Sequence, residues 1–151
     1  MQLKSLEDTK SLSKKISKAT NAGDIIFLYG DIGVGKTTFV RFFINSLENK
    51  NKIKKSDVLS PTFNIVYDYQ VGDVKILHYD LYRLKNYEDI FQLGVFETSN
   101  DHNKIIEWPE LIWPKPKDRI DILFKYSQLM DSREVKITGF GKWKDYKFNE
   151  I

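Results

Sequence analysis

The sequence predicts an α/β fold: a mixed β-sheet flanked by helices, in one domain over residues 1–151. Three observations carry this. Short apolar runs suited to buried strands are interleaved with helical patterns. One run, Ile25 to Tyr29, passes through a glycine-rich turn directly into a helical stretch, Lys36 to Glu48. The length of 151 residues, 41% hydrophobic and 14% aromatic, supports one core and leaves little room for a second full domain.

Each element has its own signal. Ser5-Leu6-Glu7-Asp8 has capping-box spacing, and Leu12, Ile16 and Ala19 follow at helical intervals, so residues 6–19 form an amphipathic helix. Asn21-Ala22-Gly23-Asp24 is turn chemistry that ends it. After the strand, loop and helix, the lysine-rich stretch 49–57 reads as an exposed connection. An extended region opens at Ser60-Pro61-Thr62, alternating through Phe63, Ile65, Tyr67 and Tyr69. A turn at Val71-Gly72-Asp73 joins it to Val74–Tyr79 as a β-hairpin. A short helix covers Tyr87 to Leu93 and closes at Gly94. Lys104-Ile105-Ile106 is a short strand, Trp113-Pro114-Lys115-Pro116 a rigid loop, and Arg119–Tyr126 and Glu134–Thr138 two final strands.

Composition narrows the chemistry. The net charge of +3 draws on lysines at 50–55 and 142–147, and this mild excess reads as solvated surface in preference to a nucleic-acid patch. No cysteine is present, which excludes disulfides and thiol catalysis. The first residues lack the apolar run of a secretory signal and no segment has the length of a membrane span, so a cytoplasmic location without membrane contact is expected.

Residues Gly30-Asp31-Ile32-Gly33-Val34-Gly35-Lys36-Thr37 fit the phosphate-loop pattern G-x-x-x-x-G-K-[ST], in the strand–loop–helix setting that the pattern requires. The expected fold is thus P-loop NTPase-like, binding a nucleoside triphosphate. Glycines let backbone amides approach an anion, and the following helix adds its positive end. Lys36 is expected to neutralise the terminal phosphates and the Thr37 hydroxyl to ligate magnesium (Mg²⁺). A second, carboxylate anchor is needed at the end of a neighbouring strand. Asp80 and Glu107 both qualify, one to hold the metal and the other to orient or activate water; the residues alone leave the roles open. His78 shares a strand face with Asp80 and reads better as a partly buried strand histidine than as a catalyst. Trp108 suits packing on a nucleotide, a partner or the core. Thr62 stands where a switch segment would reach the terminal phosphate.

Four blocks in this order, Gly30 to Arg41, Ser60-Pro61-Thr62-Phe63, His78-Tyr79-Asp80-Leu81-Tyr82-Arg83-Leu84 and Ile106-Glu107-Trp108-Pro109-Glu110, resemble the bacterial TsaE (YjeE) proteins. The resemblance covers essentially the whole chain. It implies a weak ATPase that binds ATP with Mg²⁺. It also implies action with the transferase subunit TsaD and its partner TsaB in tRNA threonylcarbamoyl adenosine biosynthesis, with tRNA met indirectly through that complex. By motif, the loop residues Asp31, Ile32, Gly33, Val34, Gly35, Lys36, Thr37 and Thr38 hold the nucleotide. Thr37 and Glu107 hold the metal, Asp80 is a catalytic or supporting acid, Thr62 belongs to the switch-like segment and Trp108 to the signature. Thr9 and Arg133 match positions that contact the nucleotide. Ile32, Val34 and Tyr79 depart conservatively from the common Leu, Ala and Phe.

Two other classes fit less well. A small-molecule kinase shares the loop, but four arginines, Arg41, Arg83, Arg119 and Arg133, do not make an arginine-rich lid. An RNA-binding module with an incidental loop lacks the strand signatures of such folds.

Overall fold

The structure is a computed structural model and describes residues 1–97 and 99–148. Seven strands form one sheet in the order β1-β7-β6-β2-β5-β4-β3. These are β1 (Gln2–Leu3), β2 (Ile25–Tyr29), β3 (Val66–Val71), β4 (Val74–Asp80), β5 (Asn103–Glu107), β6 (Arg119–Tyr126) and β7 (Arg133–Phe140). The helices are α1 (Leu6–Ala19), α2 (Lys36–Lys50) and α3 (Tyr87–Gln92). The four central strands β6, β2, β5 and β4 are parallel, and β3, β7 and β1 add antiparallel edges. The sheet is therefore mixed and helix-flanked, as expected.

The middle strands are apolar because both sheet faces are covered. On one face α1 and α2 seal Ile26, Leu28, Ile105, Ile120 and Ile122 under Leu12, Ile16, Phe39, Val40, Phe43 and Ile44. On the other, Phe27, Leu77, Tyr79 and Ile106 pack with Leu81, Ile90, Val95 and Ile112. The capping box forms: the Asp8 amide donates to Ser5 Oγ at 3.2 Å and the Ser5 amide donates to Asp8 Oδ2 at 2.9 Å. The hairpin turns at Gly72, in the left-handed region at φ 60°, with Val71 opposite Val74.

Three expectations need correction. The extended region does not start at Ser60; β3 begins at Val66. Residues 61–65 make a closed turn instead, in which the Ile65 amide donates to Pro61 O and Ile65 takes φ 67°, while its carbonyl accepts from the Asp80 amide of β4 at 2.9 Å. The strand β1 was not anticipated, since two residues carry no periodicity and are fixed by pairing with Arg133 and Glu134. Several bounds also move: α2 continues to Lys50, α3 ends at Gln92 with Leu93 as its cap, β5 starts at Asn103 and β7 runs on to Phe140. The connection after α2 is exposed through Lys55, as its lysines suggest.

Candidate functional site

Three strand ends converge. β2 ends at Tyr29 and delivers the chain to the glycine loop, Glu107 closes β5 opposite Leu28, and Asp80 closes β4 opposite Glu107. In open α/β sheets this carboxyl edge is where ligands gather.

The loop is shaped by its glycines. Gly30 has φ 129°, and a Cβ there would stand 2.3 Å from Phe124 O of β6, so the loop presses on backbone that cannot yield. Gly35 has φ 117°, and a Cβ there would meet nothing within 4 Å: its face is open. Gly35 also begins α2 without any side-chain cap. The first-turn amides of α2 are thus left for another acceptor, which gives the loop the character of an anion cradle.

Lys36 is 4% exposed. Its ammonium donates to Gly30 O and, at 2.9 Å, to Asp31 O, and it sits 4.1 Å above the Trp108 ring. Burial pushes this ammonium below the ordinary lysine range, against the pull of Glu107, Asp80, Glu110 and Asp31. Trp108 can present its ring here because its backbone turns left-handed at φ 58°, with its amide donating to Leu28 O at 3.2 Å. The Tyr82 ring lies 4.9 Å from it.

Glu107 is the hub of the buried polar chemistry. The Thr37 hydroxyl donates to its Oε1 at 2.8 Å, and His78 Nε2 lies 2.8 Å from the same oxygen. His78 is wholly buried, more so than its sequence position suggested. Asp80 serves a different group: the hydroxyls of Ser60 (3.2 Å) and Thr62 donate to its Oδ2, and the Tyr82 amide donates to Oδ1 at 3.0 Å. One carboxylate is tied to α2 and the other to the 60–62 segment.

These groups line a cleft of about 260 Å³. Of the residues singled out from sequence, Ile32, Gly33, Gly35, Lys36, Thr37, Thr38, Thr62, Asp80, Glu107 and Trp108 border it. Thr9, Val34 and Arg133 do not; they border a second cleft of about 270 Å³ that shares Gly33, Gly35 and Thr38 with the first. The Arg133 guanidinium lies 5.0 Å from the Tyr126 ring, whose hydroxyl donates to Ile32 O at 3.3 Å. Asp31 borders neither cleft, and its carbonyl serves Lys36. Sequence reasoning passed over Ser60 and Tyr82, although both lie inside the quoted motifs and border the first cleft. It also had no means of seeing that His78 meets Glu107, a partner 29 residues away.

A glycine loop leading β2 into α2, below the carboxyl edge of a helix-flanked sheet, defines an α/β protein of the phosphate-loop kind. The family model "Threonylcarbamoyl adenosine biosynthesis protein TsaE" matches residues 3–135, and the chain belongs to the TsaE family. It is 40% identical over 142 residues to the tRNA threonylcarbamoyladenosine biosynthesis protein TsaE of Aquifex aeolicus, covering 93% of this chain and 94% of that one. Its likeness to TsaE of Rickettsia conorii is 42% over 110 residues, 73% of this chain but only 61% of that relative. The match to TsaE of Rickettsia felis likewise spans 60% of that relative's length. The crystal structure of YdiB from Bacillus subtilis superposes with a TM-score of 0.72 at 28% identity, covering 97% of this chain and 87% of that one.

Proposed function

We propose that this protein is a magnesium-dependent ATPase of tRNA threonylcarbamoyladenosine biosynthesis, working with the transferase TsaD and its partner TsaB, with tRNA met through that complex. The pathway is the one for which the family and its relatives are named. The observation that carries the chemistry is the Thr37–Glu107 contact at 2.8 Å beside an uncapped helix start and a buried lysine.

In this reading the loop amides and the first turn of α2 hold the ATP phosphates. Lys36 exchanges its two carbonyl partners for phosphate oxygens, a short move that brings positive charge to where negative charge grows. Thr37 and Glu107 would hold Mg²⁺. The pair fits, because a hydroxyl and a carboxylate are hard oxygen donors and magnesium takes few protein ligands. Among the described residues no cluster of three or more His, Asp or Glu suggests a different metal site. When bound, the metal would supply neutralising charge to the phosphates. His78 fixes the Glu107 carboxylate from behind, as a supporting hydrogen bond does for a ligand. Asp80 keeps Ser60 and Thr62 beside the cleft, where they can sense the terminal phosphate, and in this reading it accepts a proton from attacking water. Thr9 and Arg133, around the loop, hold the nucleoside end. Hydrolysis then releases the 60–62 segment and the complex turns over. Location in the cytoplasm is part of this reading; among the described residues no helix is long and apolar enough to cross a membrane.

The test is phosphate release from ATP, measured with the protein alone, with TsaD and TsaB, and with tRNA added. Weak release alone and a rise with the full set is expected. Lys36→Ala lowers the rate by 100-fold or more, on the order expected for a group that stabilises developing charge. Phosphoryl transfer to a small-molecule acceptor instead of water would favour the kinase alternative.

A further inference from the structure

Away from the nucleotide cleft, the outer faces of α1 and α2 meet in a groove of about 480 Å³. Five lysines border it: Lys10, Lys14 and Lys18 from α1, Lys50 at the end of α2, and Lys55 beyond it. Among the described residues no carboxylate borders it. The remaining walls are Ser17, Ser46, Asn45, Asn49, Phe42 and Leu47. Of the five lysines, among the described residues only Lys10 is ion-paired, with Glu7 at 3.0 Å on an exposed turn where such a pair contributes little. The nearby acid Glu48 is 1% exposed and turned under the chain, accepting from the Ser56 amide at 2.9 Å and from its hydroxyl. Positive charge therefore accumulates with little local compensation, although the chain as a whole carries only +3. Asn45 adds a side-chain oxygen that is buried and has no hydrogen-bond partner among the described residues.

We infer that this groove is a docking surface for the phosphodiester backbone of RNA. The inference goes beyond the nucleotide reading, and only its choice of RNA rests on the pathway proposed above. Lysines at positions 10, 14 and 18 of one helix face form a row about 12 Å long at 1.5 Å per residue, a spacing that can follow successive phosphates. Lysine acts as a point charge and reads no sequence, which suits backbone contact. An acidic protein partner would be better matched by the bidentate fork of arginine, and no arginine borders the groove. A membrane surface needs apolar side chains standing out between the charges, whereas Phe42 and Leu47 are half-buried in the floor. RNA is chosen over DNA because the pathway named by the family acts on tRNA, and in this one respect the inference rests on the proposed function. The reading of the 50–55 lysines as mere solvated surface changes accordingly: Lys50 and Lys55 complete a groove whose other wall is α1.

The test uses the full chain and an unmodified tRNA transcript, with affinity measured by fluorescence anisotropy from about 50 to 200 mM salt, a range over which phosphate contacts weaken strongly. The groove variant is Lys14→Gln, Lys18→Gln and Lys55→Gln. A control variant, Lys117→Gln, Lys136→Gln and Lys144→Gln, removes the same charge elsewhere. The expected result is binding by the wild type, about tenfold or greater loss in the groove variant, and a log–log salt slope shallower by about 2 to 3. The control should stay near wild type. Should the groove variant not fold, lysine acetylation of the wild type, read by mass spectrometry, still decides: Lys14, Lys18, Lys50 and Lys55 are protected when tRNA is bound. Absence of wild-type binding at about 50 mM salt, equal loss in both variants, or unprotected groove lysines would overturn the inference. So would retention on phosphatidylserine vesicles but not on tRNA, or equal affinity for a DNA of the same sequence.

Discussion

The Asp80 carboxylate accepts hydrogen bonds from two hydroxyls of the 60–62 segment and from the Tyr82 amide. It is 3% exposed, so these donors replace the water it lost. Truncation would leave Ser60, Thr62 and Tyr82 without their common acceptor. Asp80→Ala is expected to cost roughly 1–3 kcal/mol locally and to loosen the 60–65 turn first. Hydrogen exchange checks this: amides in 60–65 should exchange faster while those of β2 and α2 keep their protection. Uniform acceleration throughout would mean that Asp80 supports the whole fold instead of that segment. Glu107 sits at the equivalent strand end one strand away, yet binds α2 through Thr37 and the sheet interior through His78. The two acids look alike in sequence, and their neighbours separate them.

At the scale of elements, α1 shows how a helix end is specified by its first residues. Asp8 accepts from the Lys4 and Ser5 amides at 2.8 and 2.9 Å while its own amide bonds Ser5 Oγ. The Lys4 amide, then the Ser5 side chain, hold its carboxyl below the usual 3.8. A depressed native value means that the ionised form is favoured on folding. The stabilisation is therefore present above pH 3.8 and lost as pH falls through the lowered native value. Thermal melts of Asp8→Asn and wild type should differ at neutral pH and converge in acid. A gap that persists or widens in acid would show that the carboxylate is not the cap. The same helix end leads into Thr9 and the second cleft, so fraying there would be felt beside the glycine loop. At the end of α2 nearer the cleft the logic is reversed: no side chain caps Gly35, and the open amides are what the proposed anion site uses.

At the scale of the molecule, the helix-covered face of the sheet fixes the loop in space. Phe39, two residues past Thr37, is wholly buried and meets Phe124 edge-on at 5.9 Å and Phe43 at 6.3 Å. Phe124 is also the residue whose carbonyl abuts Gly30. One aromatic contact thus joins α2 to the β6 backbone on which the loop rests. Phe39→Ala should remove about 3–5 kcal/mol, a large part of the roughly 5–15 kcal/mol by which a domain is stable. Urea denaturation measures it; a loss below about 1 kcal/mol would indicate that the core closes around the gap.

The phosphate loop, the capping box, the order of the helices and of every strand after β1, and the two acidic strand ends were legible in the sequence, because each rests on hydrogen bonds or side-chain periodicity within a few residues of chain. The resemblance carried by four short blocks reached the family for the same reason. The pairing of β1 with β7, the contact of His78 with Glu107, the capture of Thr62 by Asp80 and the closed turn at 61–65 were decided only by the tertiary structure. So was the meeting of lysines from two helices in one groove. Each of these joins groups that the chain brings together only after the sheet has formed. Local spacing carries no term for which distant donor fills a buried acceptor.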